Sequence, residues 1–251
     1  MVDQLPLEER HRWELDLDAL LQQMRPETRL IVLNFPHNPT GALVDRECLD
    51  AVVTLARDAG CWLLSDEVYR GLEHDPALRL PAAVDLYERA ISLGVMSKTY
   101  ALAGVRIGWI ATHDAEVLRR AVGLKDYTTI CNSAPSEILA LIALRARERV
   151  VARSLGIIER NLPLLDRFFE QWGDLFSWVR LRAGCIAFPR LLADTTIEQF
   201  AAELVEREGV LLIPGSVFDV PGNNFRLGFG RTNMPEALGR LERFLEGWDL
   251  H

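Results

Sequence analysis

The chain has 251 residues, of which 49% are apolar and 25% are charged, an ordinary composition for a globular protein of one large or two modest domains. The net charge of −8 excludes a general attraction for nucleic acid or anionic membrane surfaces. There is no run of about 18 apolar residues and no basic segment leading into an apolar one at the start, so we expect a cytoplasmic protein without a transmembrane helix or secretory signal.

The first half of the chain alternates predicted helices and strands. A short helix is predicted over residues 13–24, and the apolar run Leu30–Asn34 predicts a buried strand that ends in a dense turn signal. Apolar positions at helical spacing predict a helix over residues 45–59, with Gly60 as its C-terminal cap. Further strands are predicted at residues 61–65, 90–95 and 107–111. This order predicts an α/β fold with a mostly parallel sheet.

The second half is predicted to form a smaller α+β domain. Residues 133–172 are predicted to be helical, and the elements after them are shorter. Strands are predicted at residues 178–181, 185–188, 210–213 and 225–229, and helices at residues 196–207 and 234–245. We therefore divide the chain into a partial large domain, residues 1–150, and a C-terminal small domain, residues 151–251.

Metal and disulfide chemistry have little support in the sequence. The four cysteines are widely spaced and form no CxxC pair, and the five histidines do not cluster near them. We predict free, buried thiols in a reducing compartment, with almost no support for a metal site.

Polar side chains follow three of the predicted strands, where ligands of parallel sheets bind. Asn38 follows the first strand, Asp66 the second and Lys98 the third. A lysine that loses part of its hydration at such a place has a lowered pKa and becomes a nucleophile for carbonyl groups. Taken alone, Lys98 is better explained as a solvated loop residue, and only the neighbouring motifs favour the catalytic interpretation.

The other candidates also have structural explanations. Asp66 is suited to face the ring nitrogen of an electron-sink cofactor, or to cap a helix. Tyr69 shares a helical face with Asp66 and has a hydroxyl to donate, or is an ordinary half-buried tyrosine. Asn38 could bond an oxygen of the cofactor ring, or it is explained by the turn sequence in which it lies. Arg106, between glycines, suits a phosphate, or begins a strand at the surface.

Arg226 lies inside an apolar strand, where an arginine is costly unless it is paired. The α-carboxylate of an amino acid would satisfy the guanidinium with two hydrogen bonds. A structural ion pair with a carboxylate of the protein is the alternative.

Four motifs in this order resemble the class I/II aminotransferase family of fold type I, whose members depend on pyridoxal 5'-phosphate (PLP). The motifs are His-Asn-Pro-Thr-Gly at residues 37–41, Ser-Asp-Glu-Val-Tyr at residues 65–69, Ser-Lys-Thr-Tyr-Ala-Leu-Ala-Gly-Val-Arg-Ile-Gly-Trp at residues 97–109 and Phe-Arg-Leu at residues 225–227. The resemblance covers nearly the whole chain from Leu5 on and implies the large and small domains of that fold.

The resemblance also implies a role for each candidate. Lys98 would be the Schiff-base lysine and the proton shuttle, and Asp66 would face the pyridine nitrogen. Asn38 and Tyr69 would bond the phenolic oxygen of the cofactor. Phosphate would be held by Ser97 and Arg106, and the α-carboxylate of the substrate by Arg226. The implied reaction moves an amino group between an amino acid and a 2-oxo acid, in a homodimer. PLP lyases and decarboxylases of the same fold share these residues and remain open.

Two departures from the family pattern matter. Many relatives have a hydroxyl residue three positions before the lysine, where this chain has Val95. Relatives also have a substantial segment before the strand at residues 30–34, which supplies an arm, several strands, a phosphate-binding helix N-terminus and an aromatic residue stacked on the cofactor. We therefore expect a truncated or split enzyme, whose first strand is an unpaired apolar edge and which depends on a complementing N-terminal chain or is inactive without one.

Overall fold

The computed structural model describes residues 2–248 and has a mixed α/β fold. The helices are α1 (Leu17–Gln23), α2 (Arg46–Asp58), α3 (Ala115–Thr128), α4 (Ala134–Arg145), α5 (Arg147–Gln171), α6 (Ile197–Glu208) and α7 (Met234–Glu246). The strands are β1 (Leu30–Asn34), β2 (Trp62–Asp66), β3 (Ala90–Val95), β4 (Gly108–Ala111), β5 (Phe176–Ser177), β6 (Ile186–Ala187), β7 (Arg190–Leu191), β8 (Ile213–Pro214) and β9 (Phe225–Gly228). Short 3-10 turns connect several of these elements.

The main sheet has four strands in the order β1-β2-β3-β4, and the first three are parallel. β4 turns back and pairs antiparallel with β3. The predicted mostly parallel sheet is thus confirmed. In register, Asn34 of β1 lies beside Asp66 of β2, so the carboxyl ends of the parallel strands form one edge.

Helix α2 covers one face of this sheet because its apolar residues recur on one side. The carboxylate of Asp45 accepts a hydrogen bond from the backbone amide of Cys48 at 2.8 Å and begins the helix. Gly60 follows the helix with φ +62°, a conformation that glycine adopts at low cost. Val52 and Ala56 pack against Leu63 of β2, and all three are buried.

The second half packs around the long helix α5. Phenylalanines 168, 200, 225, 229 and 244 are fully buried in one core. β9 lies between β6 and β8 in a small antiparallel sheet. Tyr69 and Leu72, from the first half, belong to the same core. The division of the chain at residue 150 stays a prediction.

Four predicted elements differ from the structure. Residues 178–181 form no strand because their side chains pack on α5, where the Trp178 ring stacks on Phe169 with centroids 4.3 Å apart. β8 lies three residues later than the predicted strand at residues 210–213. The predicted helical stretch 133–172 consists of two helices, which meet at Ala146. In addition, the structure has a helix, α3, that was not predicted. The first helix begins at Leu17 because Asp16 caps it there.

Several surfaces expose apolar side chains. Within the described residues β1 pairs with β2 alone, and Val32 on this strand is 60% exposed. Tyr127 and Ile130, at the end of α3, are also exposed, as are Ile138 and Ile142 on α4. The expected apolar edge strand is therefore present.

The four cysteines are free thiols, as predicted, but they are not uniformly buried. Cys61 is buried, Cys48 and Cys185 are half-buried, and Cys131 is exposed. Among residues 2–248, no helix is both long enough and apolar enough to cross a membrane.

Candidate active site

The carboxyl edge of the main sheet gathers the loops that follow β1, β2 and β3. Asn38 lies in the loop after β1, Asp66 ends β2, and Lys98 lies in the turn after β3. The Nζ atom of Lys98 lies 5.6 Å from the centroid of the Tyr69 ring. Two segments far apart in sequence, residues 66–70 and 96–102, therefore meet at this edge.

Lys98 lies at the tip of a turn that is fixed at its base. The Met96 amide donates to the carbonyl of Ile107 at 3.0 Å, and the Leu102 amide donates to the carbonyl of Met96 at 2.9 Å. Lys98 itself is exposed. Within the described residues its amine makes no hydrogen bond and no ion pair, and its exposure argues against the loss of hydration that the sequence suggested.

The chain contains two lysines in all, and the second one differs from Lys98. The Nζ atom of Lys125 donates to Thr129 Oγ1 at 2.9 Å and to Asn132 Oδ1 at 3.0 Å. Lys125 is thus held by its surroundings, and it serves as an internal reference for any amine chemistry at Lys98.

Asp66 is the last residue of β2, and Tyr69 lies in the turn that follows. One carboxylate oxygen of Asp66 accepts the Val68 amide at 3.2 Å, so the capping explanation of this residue applies to a turn rather than to an α-helix. Asp66 has no salt bridge within the part of the chain described. Burial raises the pKa of Tyr69 to about 12, with Cys185 adding to the rise and Arg226 opposing it. Tyr69 is therefore a neutral phenol, able to donate its proton in a hydrogen bond.

Arg226 projects from β9 toward the loop after β1. Its Nη1 atom donates to the Asn38 side-chain oxygen at 3.3 Å, and its guanidinium carbon lies 5.0 Å from the centroid of Phe218. No carboxylate pairs with Arg226 among residues 2–248, so the alternative of a structural ion pair finds no partner there. The cation retains the capacity to bind a carboxylate.

The two predicted phosphate ligands are less closely joined to this group. Arg106 has a left-handed backbone with φ 55° and an exposed side chain, and its Nη1 atom donates to the carbonyl of Ala103 at 3.2 Å. Ser97 is half-buried, next to Lys98. No described contact links either residue with Asp66, Tyr69 or Arg226.

The sequence interpretation missed two residues at the site. Cys185 is half-buried, and burial raises the pKa of its thiol, while the positive charges of Lys98 and Arg226 lower it. Thr99 lies beside Lys98 but points into the protein, with 3% of its surface exposed. No sequence signal marked Cys185; for Thr99 the signal was its position next to the candidate lysine.

The fold and the site together define an α/β protein whose candidate active site is built around the Lys98 amine, which makes no hydrogen bond or ion pair with any described residue. A family profile described as aminotransferase class I and II matches residues 2–241. The chain belongs to the class I and II aminotransferase family.

Similar proteins cover nearly all of this chain. Capreomycidine synthase of Streptomyces vinaceus is 32% identical over 96% of the chain, which matches 61% of that protein. The aspartate aminotransferase of Pyrococcus horikoshii is 28% identical over 97% of the chain and 63% of that protein.

Solved structures agree with these comparisons. A PLP-dependent aminotransferase from Streptococcus suis superposes with a TM-score of 0.90 at 35% identity, over 98% of this chain and 64% of that one. The PLP-dependent cyclase OrfR superposes with a TM-score of 0.85 at 30% identity, over 93% of this chain and 63% of that one. The chain thus spans slightly more than three fifths of the length of these relatives.

Proposed function

We propose that this chain is the part of a PLP-dependent aminotransferase that holds the cofactor, and that it moves an amino group between an amino acid and a 2-oxo acid. The observation that carries the proposal is the Lys98 amine, which has no hydrogen bond or ion pair among residues 2–248 and lies 5.6 Å from the Tyr69 ring centroid. The relatives named as aminotransferases supply the reaction class.

The donor set at the sheet edge fits the cofactor's chemistry. PLP has an aldehyde that condenses with amines and a pyridine ring that takes up the electrons of a broken Cα–H bond. The Lys98 amine suits the aldehyde, and the Asp66 carboxylate suits a protonated ring nitrogen. The neutral phenol of Tyr69 and the amide of Asn38 suit the phenolic oxygen. Ser97 and Arg106 remain the proposed phosphate ligands.

The residues of the chain divide the work of the proposed reaction. Lys98 would hold the cofactor through its amine and, with that amine released, would accept and carry the proton of the substrate's Cα. Asp66 would face the ring nitrogen and favour its protonated form. Arg226 binds the α-carboxylate and so aligns the Cα–H bond with Lys98.

A second candidate is a PLP-dependent reaction other than transamination, such as a lyase, decarboxylase or cyclisation reaction. Similarity to capreomycidine synthase and to the cyclase OrfR favours it, because those two names describe ring-forming or synthetic chemistry. Product analysis separates the candidates. Transamination yields a 2-oxo acid and a new amino acid in equal amounts, whereas ammonia, carbon dioxide or a cyclic amino acid as the product would favour the second.

The exposed apolar surfaces support a further proposal about assembly. Ile138 and Ile142 of α4 are 59% and 57% exposed, and an apolar helix of this kind is usually buried. We propose that these surfaces are covered in the active assembly, by a second copy of the chain or by a complementing N-terminal chain. Light scattering of the wild type and of Ile142→Asp measures this: a monomeric wild type without added partner would contradict the homodimer. The cytoplasmic location also stays a proposal.

The two-lysine composition gives a direct test of the cofactor proposal. The chain is incubated with PLP and reduced with borohydride, and the labelled lysine is identified by peptide mass spectrometry. We expect the label on Lys98, and its loss in Lys98→Arg. Lys125→Arg is the matched control and should keep the label. Equal labelling of the two lysines, or a preference for Lys125, would refute the assignment.

A further inference from the structure

We propose that Thr99 is a positioning residue, which ties the turn of Lys98 to the segment of Tyr69 and thereby aims the lysine amine at the bound cofactor. The inference rests on the function proposed for Lys98. It assigns a role to a residue whose side chain is buried and which acts through its neighbour.

The Thr99 hydroxyl bonds to the backbone on either side of Tyr69. Its Oγ1 atom lies 3.1 Å from the carbonyl oxygen of Val68 and 2.9 Å from that of Arg70. A hydroxyl has one proton, so the two carbonyls share a single donor. The hydroxyl therefore bridges the two backbone carbonyls that flank Tyr69 in the turn after β2.

The methyl group of Thr99 fixes the same contact by packing. Gly71 has φ +97°, and a Cβ atom built there would lie 3.0 Å from Thr99 Cγ2. A side chain at residue 71 would therefore push Thr99 away, and glycine allows the close approach. Both arms of the threonine thus rest on the one segment, residues 68–71.

The consequence concerns the direction of Lys98. The hydrogen bonds of Met96 and Leu102 hold the base of the turn, whereas Thr99 holds its tip. Thr99 is buried while its neighbour Lys98 is exposed, so anchoring one side chain directs the other outward over Tyr69. Without this anchor the turn would still contain Lys98, but its amine would no longer be held 5.6 Å from the centroid of the Tyr69 ring.

Two substitutions separate the hydroxyl from the shape of the side chain. Thr99→Val keeps the branched shape and removes the donor, and Thr99→Ser keeps the donor. Each variant is labelled with PLP and borohydride and, separately, with formaldehyde and cyanoborohydride, a small reagent that needs no aligned site. Lys125 is the internal reference in both measurements, because it lies on helix α3 rather than in the Lys98 turn and makes its own hydrogen bonds.

We expect Thr99→Val to lower the ratio of Lys98 to Lys125 labelling by PLP by about tenfold, the order of effect that a misplacement of less than 1 Å has on a positioned reaction. The formaldehyde ratio should not change, and Thr99→Ser should restore the PLP ratio. The inference is overturned by a wild-type PLP ratio in Thr99→Val, by a serine variant as poor as the valine variant, or by a parallel fall of the formaldehyde ratio.

Hydrogen exchange tests the tie without any cofactor. The amides of residues 97–102 should exchange faster in Thr99→Val than in wild type and Thr99→Ser, and unchanged exchange would contradict the tie. If the wild type shows no preference of PLP for Lys98, the proposed function fails, while the exchange measurement still decides whether Thr99 holds the turn.

Discussion

Arg226 and Asn38 are 188 positions apart in the sequence, yet the Nη1 atom of Arg226 donates to the Asn38 side-chain oxygen at 3.3 Å. The contact joins β9 of the small antiparallel sheet to the loop after β1 of the main sheet. Because Asn38 is neutral, the charge of Arg226 is oriented but not cancelled. A carboxylate that enters the site therefore meets an arginine already turned toward it.

Arg226→Lys should weaken the binding of amino acids and leave the cofactor in place. An ammonium group replaces the planar fork with one point charge, and the loss of a single charged hydrogen bond corresponds to about a tenfold rise in KM. Steady-state kinetics measure KM, and PLP labelling of Lys98 is the control. Arg231→Lys, on the segment after β9, is a matched substitution that should leave KM unchanged. A wild-type KM in Arg226→Lys would contradict the carboxylate role.

Tyr69→Phe should lower activity with little effect on stability. The Tyr69 hydroxyl makes no hydrogen bond within the described residues, so its removal should change the free energy of unfolding by less than about 0.5 kcal/mol. Loss of a donor to the negatively charged phenolic oxygen should reduce kcat roughly tenfold. Urea denaturation measures the free energy of unfolding, and single-turnover kinetics measure the catalytic rate. If Tyr69→Phe lowered the free energy of unfolding as much as a substitution of a core residue does, the hydroxyl would have a structural role.

His37 should make the protein sensitive to mild acid. Burial lowers the pKa of His37 to about 4 from 6.5, and its Nδ1 atom lies 2.8 Å from Thr40 Oγ1. The unfolded chain binds a proton first as the pH falls, so stability is full above pH 6.5 and decreases between there and about pH 4. The loss amounts to at most about 3 kcal/mol.

Denaturant unfolding at a series of pH values measures this dependence. His37→Gln should flatten the curve over that interval, because glutamine does not titrate. Burial also lowers the pKa of His74, so His74→Gln is a control that should remove a different part of the same slope. A His37→Gln curve identical to that of the wild type would contradict the prediction.

Glu73 should be a major determinant of stability near the site. It is 2% exposed, and its carboxylate accepts the Gly71 amide at 3.0 Å and Arg79 Nε at 3.1 Å. Glu73→Ala would leave these donors without their acceptor and should cost about 3 kcal/mol in unfolding free energy. Glu73→Gln keeps an acceptor oxygen and should cost less. Equal losses in the two variants would show that the charge of Glu73, rather than its hydrogen bonds, holds the turn.

The order of strands and helices was readable from the sequence because local periodicity decides it. β1 and β3 have the predicted bounds. Five further elements differ from their predicted bounds by at most one residue at each end: β2, β4, α2, α6 and α7. The short strands of the second half were less predictable. Residues 178–181 have the composition of a strand, but Trp178 and Arg180 find their partners on α5, and packing at a distance overrides local propensity.

The candidate site was predictable in its residues but not in its contacts. The sequence identifies the turn residues, the acid at the end of β2 and the lysine after β3, because each follows a predicted strand. A parallel sheet brings the carboxyl ends of its strands together. Three features depend on distances that the sequence does not show. Within residues 2–248 Lys98 has no hydrogen bond or ion pair whereas Lys125 has hydrogen bonds, Arg226 donates to Asn38, and the Thr99 hydroxyl lies near the carbonyls on either side of Tyr69.

The sequence by itself determined the α/β fold, the positions of the main strands and the membership of the family, since periodicity and motif order are written along the chain. The tertiary structure alone decided which polar groups have partners and which surfaces lack cover. The physical reason is that hydrogen bonding and burial are properties of pairs of atoms in space, and the hydroxyl of Thr99 acquires its role only where two distant segments meet.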